Sequence, residues 1–192
     1  MVDSLYFVIF LVLVALVFDF LNGFHDSANA ISTIVSTQVL PAKYAVLWAA
    51  FFDFMAVFFV GVKVANTVGT GIIDPKIVND LVILSALGGA IAWNIITWYF
   101  GLPSSSSHAL IGGLIGAGVV KAGFGILVWK GITKVTLFIV LSPAIGLVLG
   151  LLMMVIVLNL NRHSSVSHST HIFRKLQLLS AAVYSMGHGG ND

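Results

Sequence analysis

The sequence predicts an all-α polytopic membrane protein, and three observations carry that prediction: apolar runs of bilayer-spanning length, scarcity of charge, and polar motifs set at membrane depth. Of 192 residues, 59% are hydrophobic and only 8% charged, with a mean hydropathy of +1.07. Soluble domains carry about 25% charged residues. The natural unit here is the span of about 20 residues, and the chain has room for about six.

The first run, 5–21, has no basic leader and no small-residue cleavage site after it, so it reads as a retained helix rather than a signal peptide. Runs 44–64, 81–100 and 135–158 are likewise rich in Val, Ile, Leu and Phe and close to spanning length. Two shorter runs, 28–40 and 108–120, cannot cross about 30 Å of hydrocarbon upright, and they predict broken or re-entrant helices. Segment 159–174 holds Asn161, Arg162, His163, His168 and His171 without an apolar run, and it reads as an aqueous linker. The irregular histidine spacing, with no acid nearby, gives no metal site. An apolar run then resumes at Leu176.

Charge and cysteine content exclude other classes. The nine basic residues give a formal net charge of +2, and most lie between the apolar runs, with no aromatic-laced basic patch to suit a nucleic acid. Cysteine is absent, which removes disulfides, thiolate metal sites and cysteine nucleophiles. Arg162, Arg174 and Lys175 flank the linker, and the positive-inside rule places it in the cytoplasm.

The first polar constellation is Asp19, Asn22, Asp26, Asn29 and Thr33, whose steps of three and four residues draw one stripe along a helix. The preceding residues are apolar on every face, so the stripe belongs to a buried helix rather than to one lying on a surface. Charged residues at membrane depth cost about 2.5 to 3.5 kcal/mol on insertion scales and mark function. Gly23 is expected to break the helix and free backbone groups for an ion or substrate. His25 has two readings, a hydrogen bond that fixes the bend or a proton relay. Asp53, inside the second run, reads as an inward-facing polar partner. The last residues, from Gly187 and His188 to Asn191 and Asp192, echo the stretch that begins at Asn22.

The second constellation runs from Trp93 and Asn94 through Gly101 and Pro103 to Ser104, Ser105, Ser106, Ser107 and His108. Gly and Pro stop one helix, and Ser opens the next with an N-cap whose free N–H groups and positive dipole end suit an anion. The alternative is a flexible loop before an ordinary helix. The following glycine-rich apolar stretch favours a short helix packed inside a bundle. Gly112 with Gly116, and Gly146 with Gly150, are read as packing positions.

These motifs together resemble the inorganic phosphate transporters of the PiT family. The stretch from Gly23 to Ala30 is similar to that family's first signature, and the stretch from Trp98 to Pro103, with the serine run and His108, to its second. The resemblance implies two inverted repeats, each with a re-entrant hairpin, enclosing phosphate and a coupling cation near the bilayer centre. On that pattern 1–158 is the first repeat with its hairpin near 102–120, 159–174 the linker, and 175–192 the start of a second repeat. Asp26, Asn29, Ser105, Ser106, Ser107, Asn191 and Asp192 would bind substrate, Asp26 and Asn29 the cation, and His25 would suit proton rather than sodium coupling. Asn191 and Asp192 align with His25 and Asp26.

The expected function is secondary transport of phosphate, coupled to a proton or sodium, across the plasma membrane. The partners are the lipid bilayer, a missing C-terminal repeat and, as a homodimer, a second copy. No cofactor beyond the coupling cation and no nucleic acid is expected, and the 192 residues alone would not transport. A carrier of another tetrahedral oxyanion such as sulfate is the rival within transport. An intramembrane hydrolase using a serine from 104–107 with His25 or His108 is the rival from enzymes; without a visible oxyanion hole no catalytic residue is assigned.

Overall fold

A computed structural model describes residues 2–59 and 68–191; Asp192 and the end of the predicted 44–64 run lie outside them. Helix α1 (Val2–Ser36) passes through Gly23 without interruption. The expected break is absent because a glycine inside a helix costs only about 1 kcal/mol, whereas breaking a helix in hydrocarbon strands backbone groups at several kcal/mol each. The short run 28–40 is largely absorbed into the same helix, whose 35 residues give a length of about 52 Å.

Helix α2 (Ala42–Phe59) follows a turn in which Gln38 adopts φ 54° and Val39 N–H reaches back to Ile34 O at 2.9 Å. Helix α3 (Asp80–Tyr99) is capped by the Asn79 side chain, which accepts from Val82 N–H at 3.1 Å. Helix α4 (Ser106–Ala122) closes at Gly123, φ 76°. Helix α5 (Trp129–Asn161) extends the predicted 135–158 run at both ends. Helix α6 (Val166–Asn191) begins inside the polar linker, so only 162–165 separates it from α5. The Ser165 hydroxyl explains that early start, since it accepts from His168 N–H at 3.4 Å and caps the first turn.

Four helices are long and apolar enough to cross a bilayer among the described residues: Leu5–Ser36, Ala42–Phe59, Asp80–Tyr99 and Trp129–Asn161. They match the four long runs of the sequence. No residue of α5 is buried, as suits a helix that is apolar all round. Its first turns are the exception to its isolation: Ile132 and Val135 pack on a cluster of Ile72, Ile73 and Val82.

Packing divides the other helices into two pairs that share α1. Helices α3 and α4 form one antiparallel pair, and Phe18 of α1 joins Leu87 and Ala90 of α3 in its core, against Ala109 and Leu110 of α4. Helices α2 and α6 form the other, with Ile34 of α1 clustered with Ala45 and Ala181. Trp48 Nε1 donates to Leu178 O at 3.1 Å within that pair. Helix α6 runs antiparallel to α1: Thr37 Oγ1 donates to Gln177 Oε1 at 3.0 Å, while Asp26 meets His188 further along.

Small residues let these helices approach. A Cβ on Gly113 would run into the Ala86 carbonyl, and one on Gly189 would lie 2.5 Å from Asp53 O, whereas one on Gly112 would meet nothing within 4 Å. Gly113→Ala should therefore force α3 and α4 apart, at about 1 to 3 kcal/mol for overpacking, and Gly112→Ala should be neutral or slightly stabilising. Thermal unfolding in detergent checks this; equal effects of the two substitutions would contradict it.

Candidate functional site

The polar stripe of α1 meets the start of α4. Ser106 is 1% exposed, and its hydroxyl donates to Asp26 Oδ2 at 3.0 Å while contacting Asn22 Oδ1. One hydroxyl has one proton. With that proton on Asp26, the Asn22 carboxamide turned end for end supplies an N–H to Ser106 Oγ, so that a single chain of donors ends on the carboxylate.

The loop before α4 is held as firmly. Leu102 N–H bonds Thr97 O at 2.8 Å, Gly101 takes φ 63°, and Trp93 Nε1 donates to Ser104 Oγ at 2.9 Å. Ser105 is the N-cap, accepting from His108 N–H at 3.3 Å. With the cap in place, the first turn of α4 and the positive end of its dipole are of the kind that suits an anion.

Helix α6 closes the far side. His188 Nε2 lies 3.5 Å from Asp26 Oδ2, and Nδ1 lies 3.8 Å from Asp53 Oδ1. One imidazole therefore stands between carboxylates from α1 and α2. The 3.8 Å arm is too long for a hydrogen bond, so it is a charge interaction that operates when the ring is protonated.

A cavity of about 390 Å³ opens between these elements, lined by Asp26, Asn29, Pro103, Ser104, Ser105, Ser107, Tyr184, His188 and Asn191. That is the volume of on the order of ten waters. A larger, mostly apolar cavity of about 1040 Å³ lies between α1, α3, α4 and α5; it shares Ser105, Ser107 and Asn191 with the first and also reaches Asp19, Asn22, His108 and Lys134. The stripe of α1 therefore serves two cavities.

The depth of the site follows from helix register. Phe24 of α1 touches Trp98 of α3, ring centroids 5.8 Å apart, so the turn at 100–105 sits beside the middle of α1's second half. Helix α1 continues to Ser36, about 18 Å further at 1.5 Å per residue. The tip of the α3–α4 hairpin stops well short of the end that α1 reaches.

Of the residues singled out from sequence, Asp26, Asn29, Ser105, Ser107 and Asn191 come together around the smaller cavity. Ser106 stands behind them, bonded to Asp26. His25 does not line either cavity, and its Nε2 is buried without a hydrogen-bond partner; Asp192 lies outside the described residues. Sequence reasoning did not assign His188 or Tyr184 to the site. The signal for His188 was present, because the alignment of Asn191 with His25 puts His188 at the place of Asn22.

Comparison with known proteins places the chain in a family. The phosphate transporter family matches residues 22–192. A "Probable low-affinity inorganic phosphate transporter" of Rhizobium meliloti (strain 1021) is 60% identical over 95% of this chain and 54% of its own length. The proteins of the same name from Bacillus subtilis (strain 168) and Streptomyces halstedii are 46% and 47% identical, with 56% and 85% of their lengths covered. The chain thus spans little more than half of the first two. A solved structure, "The sodium-dependent phosphate transporter", shares the fold at a TM-score of 0.77 and 22% identity, over 96% of this chain and 54% of that one. With the family match extending over nearly all of its residues and both polar motifs meeting at one cavity, this multi-pass membrane chain belongs to the phosphate transporter family.

Proposed function

We propose that these residues form one half of a site that carries inorganic phosphate, together with a coupling cation, across the plasma membrane. The observation that carries this reading is the capped N-terminus of α4, set at the tip of the α3–α4 hairpin beside a cavity lined by Ser105, Ser107 and Asp26. Phosphate oxygens would take the Ser105 and Ser107 hydroxyls and the first-turn N–H groups. Asp26 and Asn29 would hold the cation, and Asn191 and Asp192 would open the complementary half-site.

A carboxylate beside an anionic substrate requires a neutralising charge, and that requirement enforces coupling. At about 4 Å, two like charges repel by about 4 kcal/mol at an effective dielectric of 20, so phosphate binds well only when a cation or proton sits on Asp26. Each ligand then raises affinity for the other by the same factor. His25 keeps its two readings, and its buried Nε2 suits either a bend-fixing contact or a proton carrier.

The antiparallel course of α1 and α6, each carrying a copy of the motif, supports an inverted-repeat plan: 1–158 as the first repeat, a hairpin near 102–120 that re-enters, 159–174 as a cytoplasmic linker, and 175–192 as the start of the second. Rocking of the repeats would then expose the site alternately. The names of the relatives support phosphate as cargo and a transporter rather than an enzyme.

In vesicles containing the full-length protein, Asp26→Asn should reduce phosphate uptake to background, and unchanged uptake would sink the assignment. Ser106→Ala, which takes a donor from Asp26 and an acceptor from Asn22, should cost about 1 to 3 kcal/mol, read as a roughly 5- to 150-fold weaker apparent affinity. Sulfate in large excess should compete poorly; equal competition would favour a general oxyanion carrier. The 192-residue polypeptide reconstituted alone should show no uptake.

A further inference from the structure

Helix α6 presents two faces with different work. Ala181 and Gly189 pack toward α2, the first in a cluster with Ala45 and the second against the Asp53 backbone. Tyr184, His188 and Asn191 follow one another at helical steps of four and three, so they share a neighbouring face, and all three line the smaller cavity. His188 and Asn191 already have places in the site. Tyr184 has none, although it is the one aromatic side chain on the described lining of that cavity.

Two contacts between α1 and α6 fix its level. Thr37 bonds Gln177 and Asp26 stands beside His188; the intervals 26–37 on α1 and 177–188 on α6 are equal in length, so the antiparallel register is the same at both points. In that register Tyr184 stands level with Asn29 and Ala30, about one turn from Asp26 toward the linker. The α3–α4 hairpin gives Pro103 and Ser104 to the same cavity and then ends, while α1 and α6 run on. Tyr184 is therefore placed where the hairpin's wall of the cavity stops, on the linker side.

A tyrosine that anchors a helix at the membrane interface turns its ring to the headgroups and lipid. Tyr184 is 51% exposed and instead borders a cavity that also holds Asp26 and the hydroxyls of Ser104, Ser105 and Ser107. On the α6 wall of that cavity His188 is engaged by Asp26 and Asp53, which leaves Asn191 and the Tyr184 hydroxyl as neutral donors. Of these two, Tyr184 is the nearer to the linker. We propose that Tyr184 is a phosphate-contacting residue at the linker-side mouth of the cavity. Its hydroxyl donates to a phosphate oxygen from the α6 wall while Ser105 and Ser107 donate from the hairpin, and its ring narrows the opening through which the anion passes.

The inference rests on the reading of this cavity as a phosphate site, and its test separates the two. The full-length protein in detergent and sodium chloride is melted at increasing concentrations of inorganic phosphate, and wild type should show a phosphate-dependent rise in Tm. Tyr184→Phe keeps the ring and removes the hydroxyl at a half-exposed position, so without phosphate it should melt with wild type. It should need about ten times more phosphate for the same rise, the loss of one hydrogen bond to a charged acceptor.

Position is tested in sealed vesicles. These 192 residues contain no cysteine, so Tyr184→Cys, in a full-length protein with no other cysteine, carries a single thiol. A membrane-impermeant maleimide should reach it from the face on which Ser164→Cys of the linker is labelled, and inorganic phosphate should slow that labelling severalfold. An unchanged phosphate response in Tyr184→Phe would overturn the inference, as would labelling of Tyr184→Cys confined to the opposite face or indifferent to phosphate. A wild type with no phosphate response would instead bring down the phosphate reading itself, so the two failures are told apart.

Discussion

Asp26 is a carboxylate on a membrane-spanning helix, and the rest of the structure depends on how it is accommodated. A lone charge there would be expelled or neutralised. Instead the Ser106 hydroxyl of α4 donates to it and His188 of α6 stands beside it. Each contact recruits a different helix pair, so satisfying one side chain joins α3 and α4 to α2 and α6 through α1. The short hairpin, the capped serine turn and the glycine contacts that let helices close on one another are arranged to bring those partners within reach.

The same arrangement leaves an electrostatic competition inside the site. The Ser106 proton is committed to Asp26, while the neighbouring Ser105 and Ser107 hydroxyls and the first-turn N–H groups face the cavity. An anion arriving there meets donors on one wall and a carboxylate on the other. Selectivity for the loaded state can then come from charge balance alone, without a moving part at the point of contact.

Much of this was legible in the sequence. Span length and apolar content identified the four long helices, whereas of the three-four stripe from Asp19 to Thr33 only Asn22 is buried and Asp26 half-buried, with Asp19, Asn29 and Thr33 exposed. The serine run after Pro103 announced a capped helix, because that chemistry is local. Continuity was misread: Gly23 has weak helix propensity, but hydrocarbon makes an unpaired backbone far more costly than a glycine, so the helix runs on. The start of α6 inside the polar linker was hidden because a serine cap needs no apolar pattern. Asp53 was read as an inward partner, but His188 and its meeting with Asp53 escaped, since that meeting depends on the packing of α2 against α6, where Gly189 admits the Asp53 backbone, and no short-range signal encodes that contact.

The division into two helix pairs has a mechanical meaning. Helices α2 and α6 are bound closely at Gly189, and α3 and α4 at Gly113, yet each pair holds the other chiefly through α1. A single helix with a rigid body on either side behaves as an axle, and a twist about its length changes the separation of Ser106 from His188 while leaving both tight glycine contacts undisturbed. Ser106 and His188 reach Asp26 from the two different bodies, so any such twist would act on the contacts of the carboxylate itself.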